Sequence, residues 1–216
     1  MRVLVTAGNT HTPVDRVRVL TNVFSGRTGA NVAAEFRRRG HDVLLLTSHP
    51  ETAGDTPTRT YRTFDDLAGL MAEQVPGGGW GVIVHAAAVS DYAVAGVFDG
   101  DRREVSAGKV KSSHPELWLR LVPTPKLVDR VRQPWGFGGV LVKFKLEVGA
   151  GESELLEVAE RSRVASGADL MVANTLETMH ERAYLGPLAG RYEPVPRAEL
   201  AGRLADVVEG TCARTR

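Results

Sequence analysis

The opening of the chain constrains its fold more than any other stretch. Residues 3–5 are an apolar run long enough for a buried strand, and residues 6–10 form a small, polar loop after it. A second small-residue turn at residues 25–29 leads into a helical pattern that ends at Gly40. Doubly wound α/β proteins bind phosphates at such turns, because small residues allow close approach and helix amides point at the anion. Gly26→Val is therefore expected to impair nucleotide binding severely while leaving the fold largely intact.

Apolar runs and helical patterns alternate along the rest of the chain. Strands are predicted at Asp42–Thr47 and residues 81–88, 117–122, 140–146 and 169–172, and helices at residues 63–74, 126–132, 152–166 and 197–209. The stretch from 175 to 195 is predicted to be irregular or strand-like. This alternation predicts one α/β domain over residues 1–216, with a doubly wound, mostly parallel, Rossmann-like sheet. Residues 97–122 interrupt the rhythm and are predicted to form a flap or dimerisation excursion.

Composition narrows the class of protein. A net charge of +1 implies no strong electrostatic attraction to nucleic acids or membrane surfaces, so neither is expected as a partner. The single cysteine, Cys212, excludes a disulfide framework, and no apolar run approaches the length of a membrane span. The N-terminus lacks a signal-peptide pattern, so a cytoplasmic protein is expected.

Small or polar residues follow at least four predicted strands, at residues 8–10, 86–91, 143–147 and 173–174. The carboxyl ends of parallel strands share one edge of a sheet, so these stretches are expected to converge there. Taken singly, each is equally well explained by turn chemistry.

Three side chains near these ends allow more than one interpretation. Spacing alone favours a helix-capping role for Asn22, and the functional alternative is an amide donor to a carboxylate or acyl oxygen. Asp91 is either a solvated loop acid or a ligand contact. His85, at a strand end, is expected to be a hydrogen-bonded core histidine rather than a base.

Six motifs, in order, resemble those of the phosphopantothenate–cysteine ligases, also called phosphopantothenoylcysteine synthetases. VTAGNTHTPVDRVRVLTNVFSGRTG resembles the family's T-[AS]-G-G-T, P-[IL]-[DE]-x-V-R and S-S-G-x-x-G segments, with the family asparagine before the last of them. AAAVSDY, GKVKSS, LVPTPKLV, VKFKLE and DLMVANTLE resemble later family segments, and VKFKLE and DLMVANTLE are similar to the eukaryotic type. The motifs span residues 3–177.

The resemblance implies a ligase of coenzyme A biosynthesis that joins 4′-phosphopantothenate and cysteine. ATP or CTP, with Mg²⁺, would activate the carboxylate as an acyl-nucleotidylate and release pyrophosphate, and the amine of cysteine would then displace the nucleoside monophosphate. The resemblance also implies a homodimer. Because the chain opens at the ligase signature, no flavin-dependent decarboxylase and no flavin are expected.

Carried over position by position, the resemblance assigns catalytic roles to Asn22 and Lys109. Asn22 would hold the acyl intermediate, and Asn174 would close the substrate site. Nucleotide binding is assigned to Gly8, Asn9, Thr10, Ser25, Gly26, Arg27, Gly29, Ala87, Ala88, Asp91, Phe144 and Lys145. No metal ligand is assigned.

Departures from the family pattern leave two questions open. Asn9 replaces the second glycine of the first turn and is expected to adopt its positive φ, and Phe24 replaces a serine. The bacterial form has nucleotide-binding lysines in the region that corresponds to residues 161–169, where this chain has only Arg161 and Arg163. The choice between ATP and CTP therefore stays open. The FKLE stretch, which resembles the eukaryotic type, favours ATP. The alternatives are an NAD(P)-dependent Rossmann oxidoreductase and a non-catalytic nucleotide-binding relative.

Overall fold

The computed structural model describes residues 1–105 and 108–214. In this part of the chain the strands are β1 (Arg2–Ala7), β2 (His11–Pro13), β3 (Val19–Thr21), β4 (Asp42–Thr47), β5 (Thr58–Thr60), β6 (Val82–His85), β7 (Tyr92–Asp99), β8 (Leu117–Pro123), β9 (Val140–Glu147), β10 (Leu170–Thr175), β11 (Arg182–Leu188) and β12 (Arg191–Pro196). The helices are α1 (Arg27–Arg38), α2 (Phe64–Gly77), α3 (Asp129–Arg132), α4 (Glu152–Ala165) and α5 (Leu200–Arg214), with a 3₁₀ turn at Pro50–Thr52. No helix among these residues is both long enough and apolar enough to cross a membrane.

Within the described residues, eight strands form one sheet in the order β12-β11-β10-β9-β6-β1-β4-β5. The six strands from β10 to β5 run parallel, and β11 and β12 add an antiparallel edge. The predicted doubly wound, mostly parallel sheet is confirmed. Its parallel strands all end at one edge, where the four predicted strand-end stretches at residues 8–10, 86–91, 143–147 and 173–174 lie.

Alternate residues of each strand face opposite layers of helices, as the period of a strand requires. On β1, Val3 and Val5 pack with α1 and α5, while Leu4 packs with α2 and α3 on the other face. Helix α4 covers Met171 and Ala173 of β10 on that second face. Both faces of the sheet are buried, which is why β1, β4 and β6 read as continuous apolar runs.

Local sequence explains two of the helix ends, and one predicted helix is shorter in the structure than expected. Thr63 caps α2 in a reciprocal pair with Asp66, as the predicted cap requires, and Gly40 at φ 83° follows the end of α1. The predicted helix at residues 126–132 is one turn only. Hydrogen bonds three residues apart, such as Arg130 N to Leu127 O at 3.1 Å, hold its first part as a tight turn instead.

Two hairpins were not predicted as such. The three-residue strands β2 and β3 pair antiparallel between β1 and α1, and they are too short to give a periodic signal. The stretch predicted to be irregular or strand-like forms the antiparallel pair β11–β12. Strands β7 and β8 form a separate antiparallel ribbon that begins at Tyr92, five residues before the predicted excursion.

The start of α1 is pressed against the end of β1 through two glycines. A Cβ added to Gly26 would lie 2.7 Å from the Cα of Gly8, and it would overlap the amide nitrogen of Gly8 as well. Gly26 has φ 75° and forms the N-cap of α1, while Gly8 has φ 93°. The expectation that Gly26→Val leaves the fold intact is therefore wrong, because the added side chain meets backbone and not only ligand.

We predict that Gly26→Ala lowers the free energy of unfolding more than Gly40→Ala does. Both sites have positive φ, which costs an alanine about 1 kcal/mol, but only Gly26 faces a steric clash, which adds about 1–3 kcal/mol. Gly40 has no atom within 4 Å of an added Cβ and is the matched control. Urea unfolding of both variants measures the difference. Equal losses would contradict the close contact between Gly26 and Gly8.

Candidate active site

Two neighbouring cavities open at the carboxyl edge of the parallel sheet. The first has a volume of about 630 Å³ and is lined by the start of α1, the loop after β6, the end of β9 and the residues after β10. The second, of about 440 Å³, lies between the loop after β6, the turn before α3 and β9. A shared wall separates them and is formed by Phe24, Ala87, Ala88, Phe144, Lys145 and Leu146.

Most of the residues assigned from the sequence lie in these cavities. The first cavity brings together Gly8, Ser25, Gly26, Arg27, Gly29, Ala87, Ala88, Phe144, Lys145 and Asn174. Asn22 and Asp91 line the second cavity. Asn9, Thr10 and Lys109 line neither of them.

The amide of Asn22 points to the loop after β6 and not to a helix. Its Nδ2 donates a hydrogen bond to Ala88 O at 3.0 Å. Gly26 is the N-cap of α1 and receives no side-chain cap. The interpretation of Asn22 as a helix cap is therefore wrong, and its side chain lies at the edge of the shared wall.

Asn9 stabilises the loops that carry the site residues. In the described part of the chain the positive φ of this turn belongs to Gly8, and Asn9 has no positive φ, which corrects the expectation. The Asn9 Nδ2 donates to Asn22 O at 2.5 Å, and its Oδ1 accepts from Ser48 Oγ at 3.0 Å. A glycine could make neither bond, so Asn9 replaces backbone freedom with a fixed connection between three loops.

Thr10 and Asp91 also have structural partners. Thr10 is fully buried, and its Oγ1 accepts from Ser90 N at 2.8 Å, which holds the loop after β6 in place. Asp91 forms an ion pair with Lys126 across the second cavity. Asp91 is therefore available to a ligand only in competition with, or together with, the ammonium of Lys126.

Lys109 is exposed beside the tip of the β2–β3 hairpin. Its neighbours fix the backbone there: Gly108 O accepts from Arg16 N at 3.2 Å, and Val110 N donates to Asp15 Oδ2 at 3.1 Å. Within one subunit, the backbone around Lys109 is therefore bonded to the β2–β3 hairpin, and Lys109 lines neither cavity.

Several cavity residues were not assigned from the sequence. Lys143 lines the second cavity, and its Nζ donates to Ser162 O at 3.1 Å. Burial lowers the pKa of Lys143. Thr28, His180 and Arg197 line the first cavity. Lys143 lies two residues before Lys145 on β9, so the alternation of the strand places both on the same face and could have indicated Lys143. Arg197 belongs to a distant segment in which no motif was recognised.

Comparison with known proteins identifies the family. The model of the DNA/pantothenate metabolism flavoprotein C-terminal domain family matches residues 1–185. This chain belongs to that family. The resemblance drawn from the ordered motifs is confirmed at this level, and the oxidoreductase alternative loses its support.

The family relatives cover nearly all of this chain. The coenzyme A biosynthesis bifunctional protein CoaBC of Thermococcus kodakarensis is 37% identical over 216 residues, which is 96% of this chain and 51% of the relative. The chain thus spans about half the length of this relative, and 41% of the Escherichia coli CoaBC, at 28% identity.

Solved structures agree with the family assignment. The DNA/pantothenate metabolism flavoprotein from Streptococcus pneumoniae superposes with a TM-score of 0.86 at 26% identity, covering 98% of this chain and 99% of that one. A Cab2 variant in complex with phosphopantothenate-cysteine has a TM-score of 0.78 at 19% identity, covering 99% and 86%. At that identity the second likeness shows the shared fold alone.

His85, the last residue of β6, is buried and neutral. Its Nδ1 is hydrogen-bonded to Thr6 Oγ1 at 2.9 Å, and burial, with a smaller effect of the nearby Lys143 charge, lowers its pKa to about 4. The expected core histidine is confirmed. Because His85 is neutral near pH 7, it lines the second cavity without adding to its positive charge.

We predict that His85 makes the protein less stable as the pH falls. The unfolded histidine takes up a proton below about pH 6.5, whereas the folded one does so only near 4, so stability is lost between these values. Between pH 7.5 and 5 the loss is about 2 kcal/mol. Urea unfolding at both pH values should show that His85→Asn removes this loss and that His114→Gln, in the loop before β8, retains it. An equal pH dependence in wild type and His85→Asn would contradict the buried neutral state.

Proposed function

We propose that this chain is a nucleotide-dependent ligase that joins 4′-phosphopantothenate to cysteine in coenzyme A biosynthesis, in the cytoplasm. The observation that carries the proposal is the gathering of five of the six ordered family motifs around two cavities with one shared wall. The names of the CoaBC relatives support the pathway. Phosphopantothenate-cysteine, the molecule bound to the Cab2 variant of the same fold, is the product that this reaction would release.

In the first step, a carboxylate oxygen of phosphopantothenate attacks the α-phosphorus of the nucleotide, and pyrophosphate leaves. Two anions must approach each other, so positive charge and N–H donors have to surround the phosphates. The first turn of α1 offers unpaired amides at Arg27, Thr28 and Gly29 in the first cavity. Lys145 adds an ammonium at the shared wall, 2.8 Å from Glu147.

In the second step, the neutral amine of cysteine attacks the acyl carbon and the nucleoside monophosphate leaves with the carboxylate oxygen. Asn22 is neutral, so its amide acts as a donor and not as a base. Its place beside Ala88 suits a donor that holds the acyl oxygen at the shared wall. Asn174, buried at the end of β10, closes the first cavity from the opposite side.

Mg²⁺ would enter with the nucleotide and neutralise phosphate charge. Across residues 1–105 and 108–214, no three His, Cys, Asp or Glu side chains gather as a metal site. This fits a cation held mainly by phosphates and one or two carboxylates, as Mg²⁺ usually is.

We also propose a homodimer formed through the β7–β8 ribbon. The ribbon exposes large apolar side chains at Tyr92, Leu117, Trp118, Leu121 and Val122. Such a patch favours association with another protein surface. Lys109 lines neither cavity in one subunit, so its catalytic role requires a neighbouring subunit or a movement of the segment around it. A monomeric mass in solution, together with full activity, would contradict this arrangement.

We predict that the purified protein forms phosphopantothenoylcysteine only when nucleotide, phosphopantothenate and cysteine are all present, with one pyrophosphate released for each product. Mass spectrometry of the product and a pyrophosphate assay, each with ATP and with CTP, measure both. Nucleotide binding without product in either case would instead support the non-catalytic relative.

We further predict that Asn22→Asp is slower than Asn22→Ala. The alanine removes a donor, which costs about 10²–10³ in rate, whereas the aspartate also places negative charge against an anionic intermediate and against Ala88 O. Steady-state rates and nucleotide affinity of both variants check this. Near-normal turnover of Asn22→Asp would show that the amide only connects loops.

Lys109→Gln should keep nucleotide binding and lose turnover, because an ammonium that meets developing charge acts in the transition state. Lys111→Gln, two residues away and also exposed, is the matched control and should stay near the wild-type rate. Equal rates for the two variants would remove Lys109 from the mechanism.

A further inference from the structure

Arg197 lies where the C-terminal segment returns to the start of α1. Its backbone N–H donates to Glu181 O at 2.8 Å, and the buried side chains of Leu200 and Leu204 hold the following helix, α5, against the core. The half-buried side chain lines the first cavity, where its Nη2 donates to Thr28 Oγ1. The guanidinium is thus fixed beside the first turn of α1, in the same cavity as Gly26 and Gly29.

The positive charge of Arg197 is not neutralised by a carboxylate. Among the described residues, no Asp or Glu oxygen lies within ion-pairing distance of its guanidinium, and Thr28 is the partner of its side chain. Arg38 on α1 and Arg203 on α5 both pair with carboxylates. Burial lowers the pKa of Arg197, so its charge is held in partly desolvated surroundings.

Within the first cavity, the surroundings of Arg197 add positive potential, and its lining contains no Asp or Glu among the described residues. The first turn of α1 contains no acidic residue, and the unpaired amides of a helix start carry partial positive charge. Arg27 lines the same cavity. Cationic groups from α1 and from the segment before α5 therefore line the same cavity. Like charges repel each other in an empty cavity, and an anion bound between them would offset that repulsion.

We infer that Arg197 is a phosphate-binding residue that the C-terminal segment, beyond the family match at residues 1–185, supplies to the first cavity. The guanidinium has five N–H donors in a planar fork, which suits the oxygens of a phosphate group. This inference rests on the proposed function for the identity of the ligand. Both the nucleotide and phosphopantothenate carry phosphate, and either could place one beside α1.

The test compares Arg197→Gln, Arg197→Lys and Arg203→Gln in the full chain. Arg203 is the matched control, because it lies on the same segment but is paired with Glu193 outside the cavities. Arg197→Gln should raise the KM for one phosphorylated substrate by about 10- to 100-fold, with a much smaller change in kcat and none in the KM for cysteine. The substrate whose KM rises identifies the source of the phosphate. Arg197→Lys should recover part of the loss, and Arg203→Gln should match the wild type.

A second measurement does not depend on ligase activity. Inorganic tripolyphosphate should raise the unfolding temperature of the wild type and of Arg203→Gln, and this shift should be lost in Arg197→Gln. If the protein binds tripolyphosphate through Arg197 but forms no product, the inference stands and the proposed function fails.

Three results would overturn the inference. One is an unchanged KM for both phosphorylated substrates in Arg197→Gln. Another is an unchanged tripolyphosphate shift in that variant, even if the free protein unfolds at a lower temperature, since this would show that Arg197 only ties α5 to α1 through Thr28. The third is the absence of any tripolyphosphate shift in the wild type.

Discussion

The close contact between Gly26 and Gly8 is the constraint on which the candidate site depends. It brings the first turn of α1 against the end of β1, and Gly29 repeats the approach one turn later, where an added Cβ would lie 2.7 Å from Ala7 Cβ. Any side chain at these points would push α1 away from the sheet edge. With α1 in place, its unpaired amides lie at the first cavity, so the same geometry that packs the helix also creates the positive helix end at which we propose that an anion binds.

The side chains of two residues hold the loop after β6 at that edge, and a third residue fixes one of those two. Asn22 and Thr10 each bond to the loop, and Asn9 bonds to the backbone of Asn22 and to Ser48. Ala87 and Ala88 thereby form a fixed part of the wall between the two cavities. A reaction that joins two substrates benefits from such a wall, because prior orientation supplies much of the rate that free encounter would lose. The described residues thus place donors and cations on both sides of the shared wall.

Features that depend on local sequence could be predicted, and those that depend on distant contacts could not. The buried strands, the cap at Thr63 and the convergence of strand ends follow from periodicity and from the rule that parallel strands end at one edge. Asn22 was first interpreted as a cap because spacing cannot reveal a bond to Ala88, 66 residues away. Asn9 was expected to mimic glycine, since its partner Ser48 lies on another strand end. Arg197 reaches the site only through tertiary packing of α5, so no motif indicated it.

The proposed function depends on attack of a carboxylate oxygen on the α-phosphorus of a nucleotide. Transfer of ¹⁸O tests this most directly. With phosphopantothenate labelled in its carboxylate, the account predicts one ¹⁸O atom in the nucleoside monophosphate and none in pyrophosphate, for whichever of ATP or CTP supports product formation. Label in inorganic phosphate, with a nucleoside diphosphate as the other product, would show attack on the γ-phosphorus and would contradict the acyl-nucleotidylate account.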